Sequence, residues 1–313
     1  MGIRYSVLGA GAMGSAFGAR LHLAGFEVEL LNRSPAHGKA IGKNGLLAHI
    51  DGKSQRIDIP ACTVERARSA DVVIIFTKSY QIDAALERLP DSLNHAHVAT
   101  LQNGLGNAQR VAKWVGLERT IEGVTMMPAE FIGPGEVASS DAAETWLYAA
   151  DGQASELVDG IARDFNEAGI VSTVTAEVRR FIWQKACFNV AMNALCAITN
   201  GSPGLLRQFA DGNALAHEIA DETLGVADQI GIAVDAAKVH QLIDYACAKH
   251  TWHKPSMLQD LDHARITEID ALNGYIAQVA QQHGLAAPLN HMMARLMRLR
   301  QVSETFWSGQ PEQ

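Results

Sequence analysis

Arg4-Tyr5-Ser6-Val7-Leu8-Gly9-Ala10-Gly11-Ala12-Met13-Gly14 is the stretch that decides the fold. Its first five residues predict a short buried strand, and Ser15 to Ala24 predict a largely apolar helix after the glycines. In a G-x-G-x-x-G turn each glycine has a physical task. Gly9 permits the tight strand-to-helix turn, Gly11 lets a pyrophosphate approach the backbone, and Gly14 lets the helix sit close on the sheet. The helix N-terminus adds free N–H groups and partial positive charge for the phosphates. A glycine-rich chain produces such a pattern by chance, so context matters. Here a strand precedes it, a helix follows, and Glu27 to Leu31 predict the next strand. Gly9, Ala10, Gly11, Ala12, Met13 and Gly14 are therefore read as a dinucleotide-binding turn.

The end of that second strand indicates which dinucleotide. An NAD site places an acid there to bond the ribose 2′-hydroxyl. This chain has Asn32-Arg33-Ser34 instead. A guanidinium suits a 2′-phosphate through charge and paired donors. Arg33 thus favours NADP over NAD, with a solvated surface arginine as the plain alternative.

At 313 residues the chain is long enough for two domains, and 48% hydrophobic residues describe an ordinary globular protein. A net charge of -8 argues against nucleic acid as a partner and is compatible with a small anion met by a local positive site. Cys62, Cys187, Cys196 and Cys247 form no C-x-x-C pair, which fits reduced thiols in the cytoplasm. The chain opens directly on a strand, so no signal peptide is expected, and no apolar run is long enough to span a membrane. The histidine pairs His250/His253 and His95/His97 belong to no recognisable ligand set, so no metal is expected. No assembly signature stands out, and a homodimer is left open.

Strand and helix signals alternate through the first half. Leu46 to Ile50 and Gln55 to Ile59 flank Asp51-Gly52, a hairpin signal. Asp71 to Phe76 and Ala96 to Leu101 predict buried parallel strands, ending in Thr77-Lys78-Ser79 and Gln102-Asn103-Gly104. Thr120 to Met127 and Thr145 to Ala149 predict two more, with Gly133-Pro134-Gly135 as a turn between them. Ligands of open α/β sheets bind outside the carboxyl ends of strands. The glycine turn, Arg33, Lys78 and Asn103 all fall at such ends. Beyond Val174-Thr175 strand signals vanish. Helices are predicted over Ala176 to Thr199, Ala214 to Ile230, Ala236 to Lys249, Leu258 to His283 and Pro288 to Glu304. The expectation is an α/β dinucleotide-binding domain of Rossmann type over 1–174 and an all-helical domain over 175–313.

The chemistry is sought in the helical half. Ile182 to Asn193 is mostly apolar, yet Lys185, Asn189 and Asn193 recur every four residues and line one stripe. A lysine in apolar surroundings has its pKa drawn down toward the range useful for proton transfer. A snorkelling lysine beside two structural asparagines is the competing account. On the later helix, Ser256 with Gln259 fits a capping box, and Glu268 stands among Ile266, Ile269 and Leu272. A buried Lys185 needs such a carboxylate partner.

Together these marks give a family resemblance. The Gly9–Gly14 turn, Thr77-Lys78-Ser79, Gln102-Asn103-Gly104, Trp183 to Asn193, Pro255 to Asp260 and Thr267-Glu268-Ile269-Asp270 occur in the order seen in the ketopantoate reductases, which the chain resembles over nearly its whole length. The resemblance implies NADPH-dependent reduction of 2-dehydropantoate in pantothenate synthesis, with the substrate between the two domains. It implies Lys185 as general acid and Glu268 as its partner. Asn103 would organise the nicotinamide, Lys78 would lie beside the cofactor, and Arg33 would meet the 2′-phosphate. Asn189, Asn193 and Ser256 would hold the substrate. The helical domain would resemble that of 6-phosphogluconate dehydrogenase. The chain departs from some members at Asn200-Gly201-Ser202-Pro203-Gly204 and at His253-Lys254-Pro255. Two alternatives remain: a reductase of another branched 2-oxo or 3-hydroxy acid, and a non-catalytic NADPH sensor. Lys185 and Glu268 together argue against the sensor.

Overall fold

A computed structural model describes residues 2–33, 35–140 and 143–308. Ser34, at the end of the Asn32-Arg33-Ser34 motif, lies outside them. The chain divides into two compact units, Met1–Val178 and Arg179–Gln313.

In the first unit the strands are β1 (Tyr5–Leu8), β2 (Val28–Leu31), β3 (Leu46–Ile50), β4 (Lys53–Ile57), β5 (Ala61–Cys62) and β6 (Val72–Ile75). They continue as β7 (His97–Thr100), β8 (Thr120–Thr125), β9 (Glu130–Gly133), β10 (Glu136–Ser139), β11 (Thr145–Ala149) and β12 (Ser172–Val174). The helices are α1 (Ala12–Leu23), α2 (Pro35–Asn44), α3 (Ile82–Leu86), α4 (Asn107–Val115) and α5 (Glu156–Glu167). The main sheet has eight strands in the order β12-β11-β8-β7-β6-β1-β2-β5. From β5 to β8 every pairing is parallel, and β11 enters antiparallel to β8. The parallel part is a doubly wound dinucleotide sheet whose strand order reverses between β1 and β6. Both faces are apolar, as such a sheet requires. Val7, Val72 and Ile74 join Phe17 and Phe165 on one face, while Leu8, Val73 and Ile75 join Val98 and Val111 on the other.

A smaller sheet, β4-β3-β10-β9, decorates this unit. Its β3–β4 hairpin turns at Asp51 and Gly52, both with positive φ (49° and 76°), as a two-residue turn matched to strand twist demands. The buried Arg20 of α1 holds that turn through paired bonds to Asp51 at 2.9 and 2.7 Å. Gly133-Pro134-Gly135 does turn the chain, but it joins β9 to β10, two strands absent from the sequence reading.

Beyond β12 the described residues are helical: α6 (Val178–Thr199), α7 (Pro203–Gln208), α8 (Ala210–Gln229), α9 (Ala236–Lys249), α10 (Ser256–Asp262), α11 (Asn273–Gln282) and α12 (Pro288–Ser308). The core here includes a polar web. Asn273 donates to the Val190 carbonyl of α6 at 3.1 Å and to Asn290 at 3.0 Å. Glu222 of α8 accepts the Leu289 and Asn290 amides at 2.9 and 2.7 Å, satisfying two first-turn donors of α12.

The single helix expected over Leu258 to His283 is broken. Ala264 adopts a left-handed φ of 50°. The Arg265 amide returns to the Asp260 carbonyl at 2.8 Å, and that of Ala264 to Leu261 at 2.9 Å. These two bonds form a Schellman stop. Glu268 therefore stands in the irregular segment after α10, ahead of a short 3-10 turn (Ile269–Ala271).

Candidate functional site

In the first unit the site begins at the strand-order reversal. A Cβ on Gly9 would lie 2.6 Å from the Thr77 amide nitrogen, and Gly9 has a φ of 96°, so glycine is required twice over. A Cβ on Gly14 would lie 2.4 Å from the Gly9 carbonyl oxygen, so α1 seats directly on the turn. Gly11 differs: a Cβ there would meet nothing within 4 Å. The protein leaves open space where a dinucleotide turn brings its pyrophosphate closest. No side chain caps the N-terminus of α1, and its first turn carries no acid, so its partial positive charge is left for a ligand. These features fit a nicotinamide dinucleotide. Gly9 to Gly14 would hold its phosphates.

The neighbouring strand ends are knitted together. Gln102 donates to the Thr77 carbonyl at 2.6 Å and accepts from Thr100 at 2.8 Å, tying the end of β7 to that of β6. The Ser79 hydroxyl donates to the Asn103 carbonyl at 3.0 Å, and Arg110 donates to the Ser79 carbonyl at 2.7 Å. Lys78 and Asn103, both partly buried, are thus placed on two adjoining loops beside the glycine turn. Arg33 is exposed just past β2, the strand on the other side of β1. Gln102, Ser79 and Arg110 received no role from the sequence. A buried glutamine directly after a strand was the one available signal.

In the helical unit α6 carries the predicted stripe. Its neighbours Ala186, Cys187, Val190 and Ala191 are fully buried, and Asn189 and Asn193 are each only 7% exposed. Burial pulls the Lys185 ammonium down to about 8, and the Glu268 carboxylate acts in the opposite sense. Lys185 and Glu268 therefore sense each other, and desolvation outweighs attraction. Glu268 is itself buried. Its segment is held by the Thr267 amide, which donates to Gln301 of α12 at 2.6 Å, and by the buried Ile269.

Two sequence expectations around this site are corrected. Ile266 is 63% exposed and does not enclose Glu268; only Ile269 and Leu272 are core residues. The Ser256–Gln259 capping box does not form. Pro255 occupies the N-cap, whose carbonyl accepts the Leu258 and Gln259 amides, and the Gln259 side chain donates to the Lys254 carbonyl at 2.8 Å. Ser256 is exposed at the first position of α10, on a different element from the lysine stripe.

Among the described residues no three His, Cys, Asp or Glu side chains gather as a metal set, and no helix is long and apolar enough to cross a membrane.

Comparison with known proteins agrees with this geometry. Residues 5–152 match the family described as ketopantoate reductase PanE/ApbA, and residues 177–301 match its C-terminal part. The 2-dehydropantoate 2-reductase of Pyrococcus horikoshii is 32% identical over 94% of this chain and 96% of its own length. That of Halobacterium salinarum is 30% identical over 96% of this chain and 99% of its own. A D-mandelate dehydrogenase solved with NADH and anilino(oxo)acetate superposes with a TM-score of 0.91 at 28% identity, covering 97% of this chain and 100% of that one. The glycine turn, the doubly wound sheet, the helical unit and these matches place the chain in the ketopantoate reductase family of oxidoreductases.

Proposed function

We propose that the protein reduces 2-dehydropantoate to pantoate with NADPH, using Lys185 as general acid. The observation that carries this reading is a lysine set among the buried residues of α6 and within electrostatic reach of the buried Glu268, where burial draws its ammonium down to about 8. The bound reduced nicotinamide would supply the hydride that the C2 carbonyl carbon receives. Lys185 stabilises the negative charge growing on the carbonyl oxygen and delivers the proton to it. A pKa close to the working pH suits both tasks, because the group is charged and still a competent acid. Glu268 keeps the lysine cationic against burial. Asn189 and Asn193, one and two turns further along α6, supply polar side chains for the substrate on the same stripe, and the exposed Ser256 hydroxyl adds a donor from α10.

Arg33 supports NADPH, because a cation stands where an NAD site places an acid. One charge-assisted contact to the 2′-phosphate is worth about 1.5–3 kcal/mol. Arg33→Ala should therefore weaken NADPH by that amount and leave NADH nearly untouched. Equal losses in paired titrations would remove Arg33 from the site.

The D-mandelate dehydrogenase match favours a second reading, the reduction of another 2-oxo acid. Loss of NADPH absorbance with 2-dehydropantoate and with phenylglyoxylate, the 2-oxo acid of mandelate, decides between them. Higher kcat/KM for 2-dehydropantoate is the expected result. A preference for phenylglyoxylate would transfer the assignment, and turnover of neither would favour a sensor.

A further inference from the structure

His37 lies in the first turn of α2, four residues after Arg33, and only 1% of it is exposed. The Gly135 amide, in the β9–β10 turn, donates to its Nδ1 at 2.9 Å. Nδ1 is therefore an acceptor, and in a neutral ring Nε2 then carries the proton. Nε2 faces the Ser15 hydroxyl at 3.1 Å, and that hydroxyl in turn donates to the Ala10 carbonyl at 3.2 Å. The chain of bonds runs in one direction only: Gly135 N–H to imidazole, imidazole N–H to Ser15, Ser15 O–H to Ala10. Burial favours the neutral ring by lowering its pKa from the ordinary value. An imidazolium would set a second N–H against that of Gly135.

The ends of this relay are what give it meaning. Ala10 sits inside the glycine turn. Holding its carbonyl on the protein side keeps the negative end of that peptide away from bound phosphates. The other members anchor α2, the helix entered directly from the Arg33 segment. Gly135 packs on α2 as well, since a Cβ there would lie 3.0 Å from Ala40 Cβ. We propose that His37 is a positioning residue for the cofactor, clamping the pyrophosphate turn and the ribose-side segment into one preformed cradle through Ser15. The proposal rests on the glycine turn being the cofactor site. It does not depend on which 2-oxo acid is reduced. A preformed cradle binds tighter because less ordering remains for the bound state.

Calorimetric titration of the full-length protein with NADPH and with NADH tests the relay. His37→Ala should raise Kd for both cofactors by about tenfold, the effect of one good hydrogen bond. At saturating cofactor, kcat and the KM of the 2-oxo acid should stay near wild type. This differs from Arg33→Ala, which should act on NADPH alone. A glutamine amide can reach the Nε2 position, so His37→Gln should recover much of the affinity. His37→Asn retains only the Gly135 side and should not. Should His37→Ala fold poorly, Ser15→Ala breaks the same relay with a smaller side chain at a fully buried position. A folded His37→Ala or Ser15→Ala protein with unchanged Kd for both cofactors would overturn the relay. So would a His37→Gln protein no better than His37→Ala. If the wild-type protein bound neither cofactor, the glycine turn would not be a cofactor site, and the relay would fall with it.

Discussion

The glycine turn after β1 is built from backbone, whereas the site on α6 is built from side chains. In the turn, the proposed cofactor binding depends on what is missing: Gly9 and Gly14 have no room for a Cβ, and Gly11 has room that the protein itself leaves open. On α6, the proposed catalysis depends on what is present but disfavoured, an ammonium in a helix otherwise fit for a core. A backbone site is written in residue spacing, so a linear pattern reveals it. A side-chain site needs a partner from a distant segment, and spacing alone cannot say whether the partner arrives.

The largest effect should come from the side-chain site. Lys185→Ala should bind NADPH normally and lose about 10²- to 10⁴-fold in kcat, the usual worth of a general acid. Glu268→Ala should impair turnover or substrate affinity while leaving NADPH affinity intact. Melting temperature, NADPH affinity and kcat measured on one preparation separate this from a structural lysine. Near-normal kcat in a folded Lys185→Ala protein would break the comparison at its chemical end.

The backbone site should respond differently at its open and its packed glycines. Gly11→Ala should melt like the wild type, because its new Cβ meets nothing, yet lose tenfold or more in cofactor affinity, about 1.4 kcal/mol. Gly9→Ala should lose stability first, by about 1–3 kcal/mol or more, from a strained φ and a backbone clash. If Gly11→Ala bound cofactor normally, the open space above the turn would have no ligand to explain it.

The pH profile sharpens the side-chain half. With Lys185 near 8, kcat/KM for reduction should be flat below that pH and fall about tenfold per unit above it, as the acid loses its proton. Stability should move the other way. The folded pKa lies below the ordinary 10.5, so the unfolded chain binds more protons between about 8 and 10.5. The burial penalty is complete below that window and is relieved as pH rises through it. A kcat/KM profile without a break near 8 would remove Lys185 as the titrating acid.

The elements follow the same division between patterned and unpatterned signals. β11 and α9 occupy the spans their sequences predict, because apolar strands and helix periodicity leave a local record. The Lys185 stripe is equally visible in the sequence, whereas the burial that argues against a snorkelling lysine comes only from the folded packing. Family resemblance, more than local pattern, pointed to Glu268. The sequence placed it on a continuous helix among three apolar neighbours, while the structure sets it in a loop with Ile266 turned to solvent. His37 was indistinguishable from other histidines, since its partners are a hydroxyl 22 residues away and an amide 98 residues away.

The unmarked helix stop yields the smallest prediction. A Schellman motif usually places glycine at its left-handed position, and that glycine is the signal a sequence reader uses. Here Ala264 fills the position with a φ of 50°. The segment Leu258 to His283 consequently read as unbroken helix, because alanine is also the best helix former. A left-handed alanine carries a strain of roughly 1–2 kcal/mol that glycine avoids, partly offset by the greater freedom of glycine in the unfolded chain. Ala264→Gly should therefore stabilise the protein by about 0.5–1 kcal/mol, read as a small rise in the denaturant midpoint at constant m-value. Because glycine preserves the stop that ends α10 ahead of Glu268, kcat should be unchanged. Destabilisation by Ala264→Gly would mean that this residue is helical in solution and that Glu268 rides on the continuous helix its sequence suggests.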